Sequence, residues 1–338
     1  MYFPSTTLTR LFFAVALVQS VLALGLEAYV LATVENDLDP TAVGILEGHT
    51  VPSYCSLFIF AFIYELILVY DTLRLNSMIQ LVGLCIYNFL LLLYAAVQPR
   101  TIGKALKVLA NAKNMDITPL LKPGRNTWHR VQPALIIIVV DQTIATAALL
   151  FLTYKLRSEF AWVVYKILNA DLSMRRRLFN FQVYMALIKF NFFFLLGFMI
   201  QTISLIGNPK HDIEVPLTVA GIFVALAVMG LAIYCARFEN KAGTAAVIIA
   251  YVGAAVYLSW KLANLSVMAT HPLIVFNALT LAMMVATIVM AIVCMANFGK
   301  GLKTYTMPQK RLSEENIHLH HTHNYAGGTR VSRLDLGD

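Results

Sequence analysis

A lysine stands inside the longest apolar run of this 338-residue chain. It is Lys189, within LFNFQVYMALIKFNFFFLLGFMIQTISLI (Leu178 to Ile206), directly behind the basic triplet Arg175-Arg176-Arg177. A run of that length is a membrane-spanning helix, and an ammonium inside hydrocarbon needs an anion or a carbonyl within reach. Glu65, Glu27, Asp141 and Lys261 lie in other apolar runs and share this situation. Such groups form ion or proton pathways, ligand counter-ions or structural ion pairs.

Depth suggests partners. A helix advances about 1.5 Å per residue, which places Lys189 and Glu65 at roughly 10–16 Å from one common membrane face. A Lys189–Glu65 ion pair is therefore expected, since it would neutralise both charges. Glu27 and Asp141 share a level about 10–12 Å from the opposite face, with Lys261 slightly nearer that face. Two carboxylates at one level could share a proton or a cation. In the plainer alternative, Lys261 snorkels outward beside Trp260 and Glu27 is structural. Gln182, one heptad before Lys189, falls on the same helix face. Asn191 and Gln201 add polarity elsewhere on that helix, and Phe190, Phe192, Phe193, Phe194 and Phe198 are expected to pack rather than to cage a ligand. Asp71 and Arg74, three residues apart, are expected to pair locally.

Other chemistry is thinly represented. The cluster His318, His320, His321 and His323 could hold zinc or copper, but it lacks cysteines or a closed framework, so no metal is expected. No phosphate loop, HExxH or GxSxG occurs, and no triad is recognisable by spacing. The chain reads as a non-enzyme without a cofactor. Cys55, Cys85, Cys235 and Cys294 fall in or beside apolar runs and read as small buried hydrophobes.

The elements that must carry these groups follow from composition. Apolar residues make up 59% of the chain and charged residues 13%, about half the usual charged share of a soluble domain. Eight apolar segments are long enough to cross a bilayer: 11–34, 51–73, 76–98, 133–154, 178–206, 215–236, 242–265 and 273–297. Backbone groups in lipid must bond within their own segment, and none of these runs alternates as a barrel strand would. The fold class is thus an all-α integral membrane protein, a polytopic bundle of eight helices over residues 1–298. A flexible cytosolic tail is expected over 299–338. The bundle would have seven helices if the first segment were a cleaved signal peptide, but its apolar run continues through Leu31-Ala32, which favours a retained helix. A four-plus-four arrangement is numerically possible, although the halves share no visible sequence pattern.

With eight spans both termini share a face. Placing it in the cytosol puts 16 Lys/Arg inside and eight outside, which favours cytosolic termini. The net charge of +8 then reflects orientation and lipid headgroups rather than nucleic acid. The segment 99–132 is basic yet lies outside in this arrangement. Its stripe Ile102, Ala105, Leu106, Leu109 and Ala112 fits either a helix lying on the membrane surface or a solvated helical loop. Ala242, Ala246, Ala250 and Ala254 form a small-residue stripe that would let another helix approach closely.

The block YKILNAD (Tyr165 to Asp171), the triplet Arg175–Arg177 and FQVYMALIKFNFFFLLGFMIQ (Phe181 to Gln201) resemble an uncharacterised fungal family of multi-pass Golgi apparatus membrane proteins, as does the later YLSWKL (Tyr257 to Leu262). The chain departs from that pattern at Asn191, where an aspartate is common. The resemblance implies Golgi residence and a polytopic fold, and it implies no activity. Three functions stand open: a Golgi protein acting in trafficking, in membrane organisation or as a complex subunit; a small-solute or ion transporter using the intramembrane charges; and a seven-helix receptor. The expected partners are the lipid bilayer, other membrane proteins or further copies of the chain.

Overall fold

In hydrocarbon each helix must close its own backbone hydrogen bonds, and the eight apolar segments do so. The computed structural model describes residues 6–38, 46–111, 126–168, 172–205, 214–265 and 271–299. Its helices are α1 (Thr7–Asp37), α2 (Leu46–Leu75), α3 (Met78–Asn111), α4 (Thr127–Leu168), α5 (Leu172–Leu205), α6 (Glu214–Arg237), α7 (Lys241–Leu265) and α8 (His271–Ala296). All eight are long and apolar enough to cross a membrane. Their outward faces carry large apolar side chains such as Ile144, Phe223 and Ile249, as a surface solvated by lipid requires. The tail and its histidines, His318 to His323, lie outside the described residues.

Helix contacts form two rings. α1 packs on α2, α2 on α3, α3 on α4 and α4 back on α1; α5, α6, α7 and α8 close a second ring in the same cyclic order. The rings join where α5 packs on α2 and α3. The four-plus-four division is therefore real in space although the two halves share no sequence pattern. Packing order depends on which faces are apolar, and many sequences satisfy that.

Aromatic and small residues build the seam between the rings. Phe193 of α5 stacks at 5.6 Å on both Phe60 and Tyr64 of α2 and meets Tyr87 of α3 edge-on at 4.8 Å. Tyr64 donates to the Lys189 carbonyl at 2.7 Å, and Tyr87 donates to the Ala61 carbonyl at 2.9 Å. The phenylalanines of α5 thus pack, as their number suggested. Gly197 keeps the seam close: a methyl there would lie 2.8 Å from Phe276 and 2.9 Å from Leu57.

Short turns fix the antiparallel order. α2 ends at Leu75, and Asn76 takes the left-handed conformation (φ 48°) before α3 begins two residues later. Glu239 (φ 52°) does the same between α6 and α7, where the Asn240 side chain accepts from the Gly243 amide at 3.2 Å and caps α7. Glu239 also accepts from the Gly299 amide at 2.8 Å, which ties this turn to the end of α8. At the start of α1, Thr6 and Thr9 form a reciprocal cap, and the Thr6 hydroxyl donates to Glu159 of α4 at 3.2 Å.

Three sequence expectations are corrected. Residues 100–111 neither lie on the membrane surface nor form a loop; they continue α3, with Ile102, Ala105 and Leu106 buried against α1, α2 and α4 and Leu109 also buried. From Ile102 to Leu109 the stripe is buried in protein rather than laid on lipid headgroups; Ala112 lies outside the described residues. The interval 155–177 is largely helix, because α4 runs for 42 residues, about 60 Å, and α5 starts at Leu172. The alanine stripe of α7 is not a helix seat along its length: Ala242, Ala246 and Ala250 are exposed, while Ala254 packs half-buried against the core of the second ring.

Candidate intramembrane polar site

One amide ties together all four helices of the first ring. Asn88 of α3 is 1% exposed, and its Oδ1 accepts from Gln19 Nε2 of α1 at 3.0 Å and from Gln142 Nε2 of α4 at 3.0 Å. Its Nδ2 donates to Glu65 Oε1 of α2. Gln19 also donates to Gln142 Oε1 at 2.8 Å, and Gln142 Nε2 reaches the Asn88 carbonyl at 3.3 Å. All four side chains are essentially inaccessible. Asp141, adjacent to Gln142, lies within electrostatic reach of Glu65.

A second buried carboxyl sits nearer the opposite face. Glu27 Oε1 of α1 accepts from Gln98 Nε2 of α3 at 2.7 Å, and the Cys55 thiol of α2 lies alongside. At the end of α1, Asp37 accepts from the Thr127 hydroxyl at 3.0 Å and pairs with Arg130 at 3.5 Å. That pair explains part of the basic charge of 99–132: some of it answers the acidic end of α1 on the same face.

The expected partner of Lys189 is corrected. Its ammonium bonds Asp71 of α2, six residues beyond Glu65, in a half-buried ion pair. Side chains on a helix tilt toward its N-terminus. Lys189 therefore leans toward the start of α5, the face where α2 ends and Asp71 sits. Glu65 leans the other way along α2 and finds Asn88. Depth reckoned from Cα positions ignores this tilt and the reach of a four-carbon stem. The expected Asp71–Arg74 pair gives way for the same reason, since the Asp71 carboxylate is taken by Lys189.

The remaining candidates do not converge. Glu27 meets Gln98, whereas Asp141 lies by Glu65, so the two carboxylates expected to share one level have different surroundings. Gln182 is half-buried on α5, one heptad from Lys189. Lys261 lies half-buried on α7 in the second ring, beside the exposed Trp260, which fits snorkelling.

Gln19, Asn88, Gln98 and Gln142 are not among the sequence candidates, whose only amides lie on the helix of Lys189. The signal was present: Gln19, Glu65, Asn88 and Gln142 all lie about 8 to 12 residues from one common face of the predicted spans, about 12–18 Å deep. Carboxyls in hydrocarbon seek amide donors as readily as cations.

The chain is 25% identical over 279 residues to a protein of Schizosaccharomyces pombe named UPF0658 Golgi apparatus membrane protein; the match covers 76% of this chain and 79% of that one. This likeness bears out the resemblance to an uncharacterised fungal Golgi membrane family. No family model matches the chain, and no solved structure does.

Proposed function

We propose that this protein is a Golgi-resident, non-enzymatic multi-pass membrane protein that serves membrane organisation or trafficking, as a scaffold or complex subunit, with its termini in the cytosol. The relative named as a Golgi membrane protein supports the location. The observation that carries the molecular reading is how the buried polar groups are used. Glu65, Asn88, Gln19 and Gln142 engage one another across four helices, and Glu27 engages Gln98. Side chains spent on one another hold a bundle together. Two crevices of about 390 and 420 Å³ are lined by other and mainly apolar side chains.

A transporter reading has one observation of its own: Glu27 Oε2, Glu65 Oε2 and Asp141 Oδ2 are buried without a hydrogen-bond partner, and Glu65 and Asp141 are neighbours. The receptor reading requires loss of α1, and Gln19 of α1 bonds both Asn88 and Gln142 in the buried cluster.

Glu65→Gln separates scaffold from pathway, since glutamine keeps an acceptor for Asn88 and cannot carry a proton or bind a cation by charge. Expressed in fission yeast lacking the endogenous relative, a scaffold retains Golgi co-localisation and complements the deletion with Glu65→Gln. Normal folding and localisation with loss of complementation would overturn the scaffold reading in favour of transport.

A further inference from the structure

Three helices of the second ring leave a crevice that the scaffold does not use. It holds about 390 Å³ between the outer halves of α5, α6 and α7, at the end away from the tight α6–α7 turn. Small side chains make the space, Gly221 and Ala225 on α6 and Ala250 and Ala254 on α7. The rim includes Val224 and Tyr257, both well exposed on the lipid-facing side, so the crevice opens laterally.

The floor is not wholly apolar. Asn191 of α5 lines it, is 1% exposed, and neither atom of its amide has a hydrogen-bond partner. The Tyr251 hydroxyl lies close enough to interact with it, yet both amide atoms keep their hydrogen-bonding capacity free. An orphaned amide in a low-dielectric interior is unfavourable, so a ligand group able to satisfy it gains affinity by doing so. The volume is in the range of small-molecule sites, which are mostly apolar with few, placed polar groups.

We infer that the α5–α6–α7 crevice binds a neutral lipid with a single hydroxyl on a hydrocarbon body, entering from the bilayer with the hydroxyl bonded to Asn191. A hydroxyl both donates and accepts, matching the two free functions of an amide. A charged headgroup finds no counter-ion among the lining residues, and the lateral mouth selects a molecule already dissolved in the membrane.

The test uses the full-length protein in nanodiscs with hexadecanol carrying a diazirine and an alkyne, and the matching hexadecane probe without the hydroxyl. The expected result is saturable photolabelling mapped to α5, α6 and α7, about tenfold stronger for the alcohol than for the alkane. Asn191→Leu should abolish that preference. Ala250→Phe, which fills the crevice from an exposed position, should reduce labelling by both probes and covers the case in which Asn191→Leu fails to fold. Equal labelling by the two probes would mean that the crevice takes any acyl chain, and the inference fails. Labelling unchanged by Ala250→Phe would overturn it as well.

Discussion

Replacing Asn88 by leucine tests the polar core at its hub. The side chain makes three hydrogen bonds, one each to Gln19, Gln142 and Glu65. Interhelical polar bonds in membranes average about 0.6 kcal/mol and reach about 1.7, so three of them amount to about 2–5 kcal/mol. The loss also strands Glu65, which is 0% exposed, and a stranded buried acceptor adds about 1–3 kcal/mol. Asn88→Leu is therefore expected to destabilise the bundle by at least 2 kcal/mol, read as the midpoint shift of an SDS-unfolding titration in mixed micelles followed by circular dichroism. The paired variant Asn88→Leu/Glu65→Leu should regain about 1–3 kcal/mol, because it leaves no stranded carboxyl at position 65. If Asn88→Leu unfolds within about 0.5 kcal/mol of the parent, the resolution of mutational additivity, the network contributes nothing and the reasoning fails. The same holds if the paired variant is less stable than the single one.

Asp71→Ala should lower stability more than Lys189→Met does, because it leaves an ammonium without its anion near hydrocarbon, whereas a methionine needs none; abundance in purified Golgi membranes reads the order, and the reverse order contradicts the pairing. Gly197→Leu should wedge α5 from α8 and α2 and destabilise the protein by about 1–3 kcal/mol or more, while Gly253→Ala, where nothing lies within 4 Å, should be neutral in the same unfolding assay. Glu27→Gln should be tolerated within about 0.5 kcal/mol because glutamine still accepts from Gln98, whereas Gln98→Leu strands Glu27 and should cost about 1–3 kcal/mol.

The eight helices were legible because length and apolarity are one-dimensional properties, and the spans at 11–34 and 242–265 differ from α1 and α7 only at their ends. Helix ends beyond the bilayer were less legible. Once a helix leaves hydrocarbon, apolarity stops reporting it, so the extension of α3 to Asn111 read as a surface helix or a helical loop and that of α4 to Leu168 fell between spans. Depth identified Lys189 and Glu65 as charges needing partners and chose the wrong ones. Both side chains lean toward their own helix N-termini, and those lie at opposite faces. Asn88 went unread because an uncharged amide does not interrupt an apolar run. Its importance lies in touching three other helices, a property of the ring that no single span displays.

The most direct test of the four-helix clasp is cysteine crosslinking in native membranes, on a background lacking Cys55, Cys85, Cys235 and Cys294. Gln19→Cys with Gln142→Cys should be bridged by a short bifunctional methanethiosulfonate reagent, because the two glutamines meet tip to tip at 2.8 Å and the shorter cysteines are left a small linker's length apart. No bridge there, together with efficient bridging between Glu65→Cys and Lys189→Cys, would contradict the arrangement and restore the pairing that depth alone suggested.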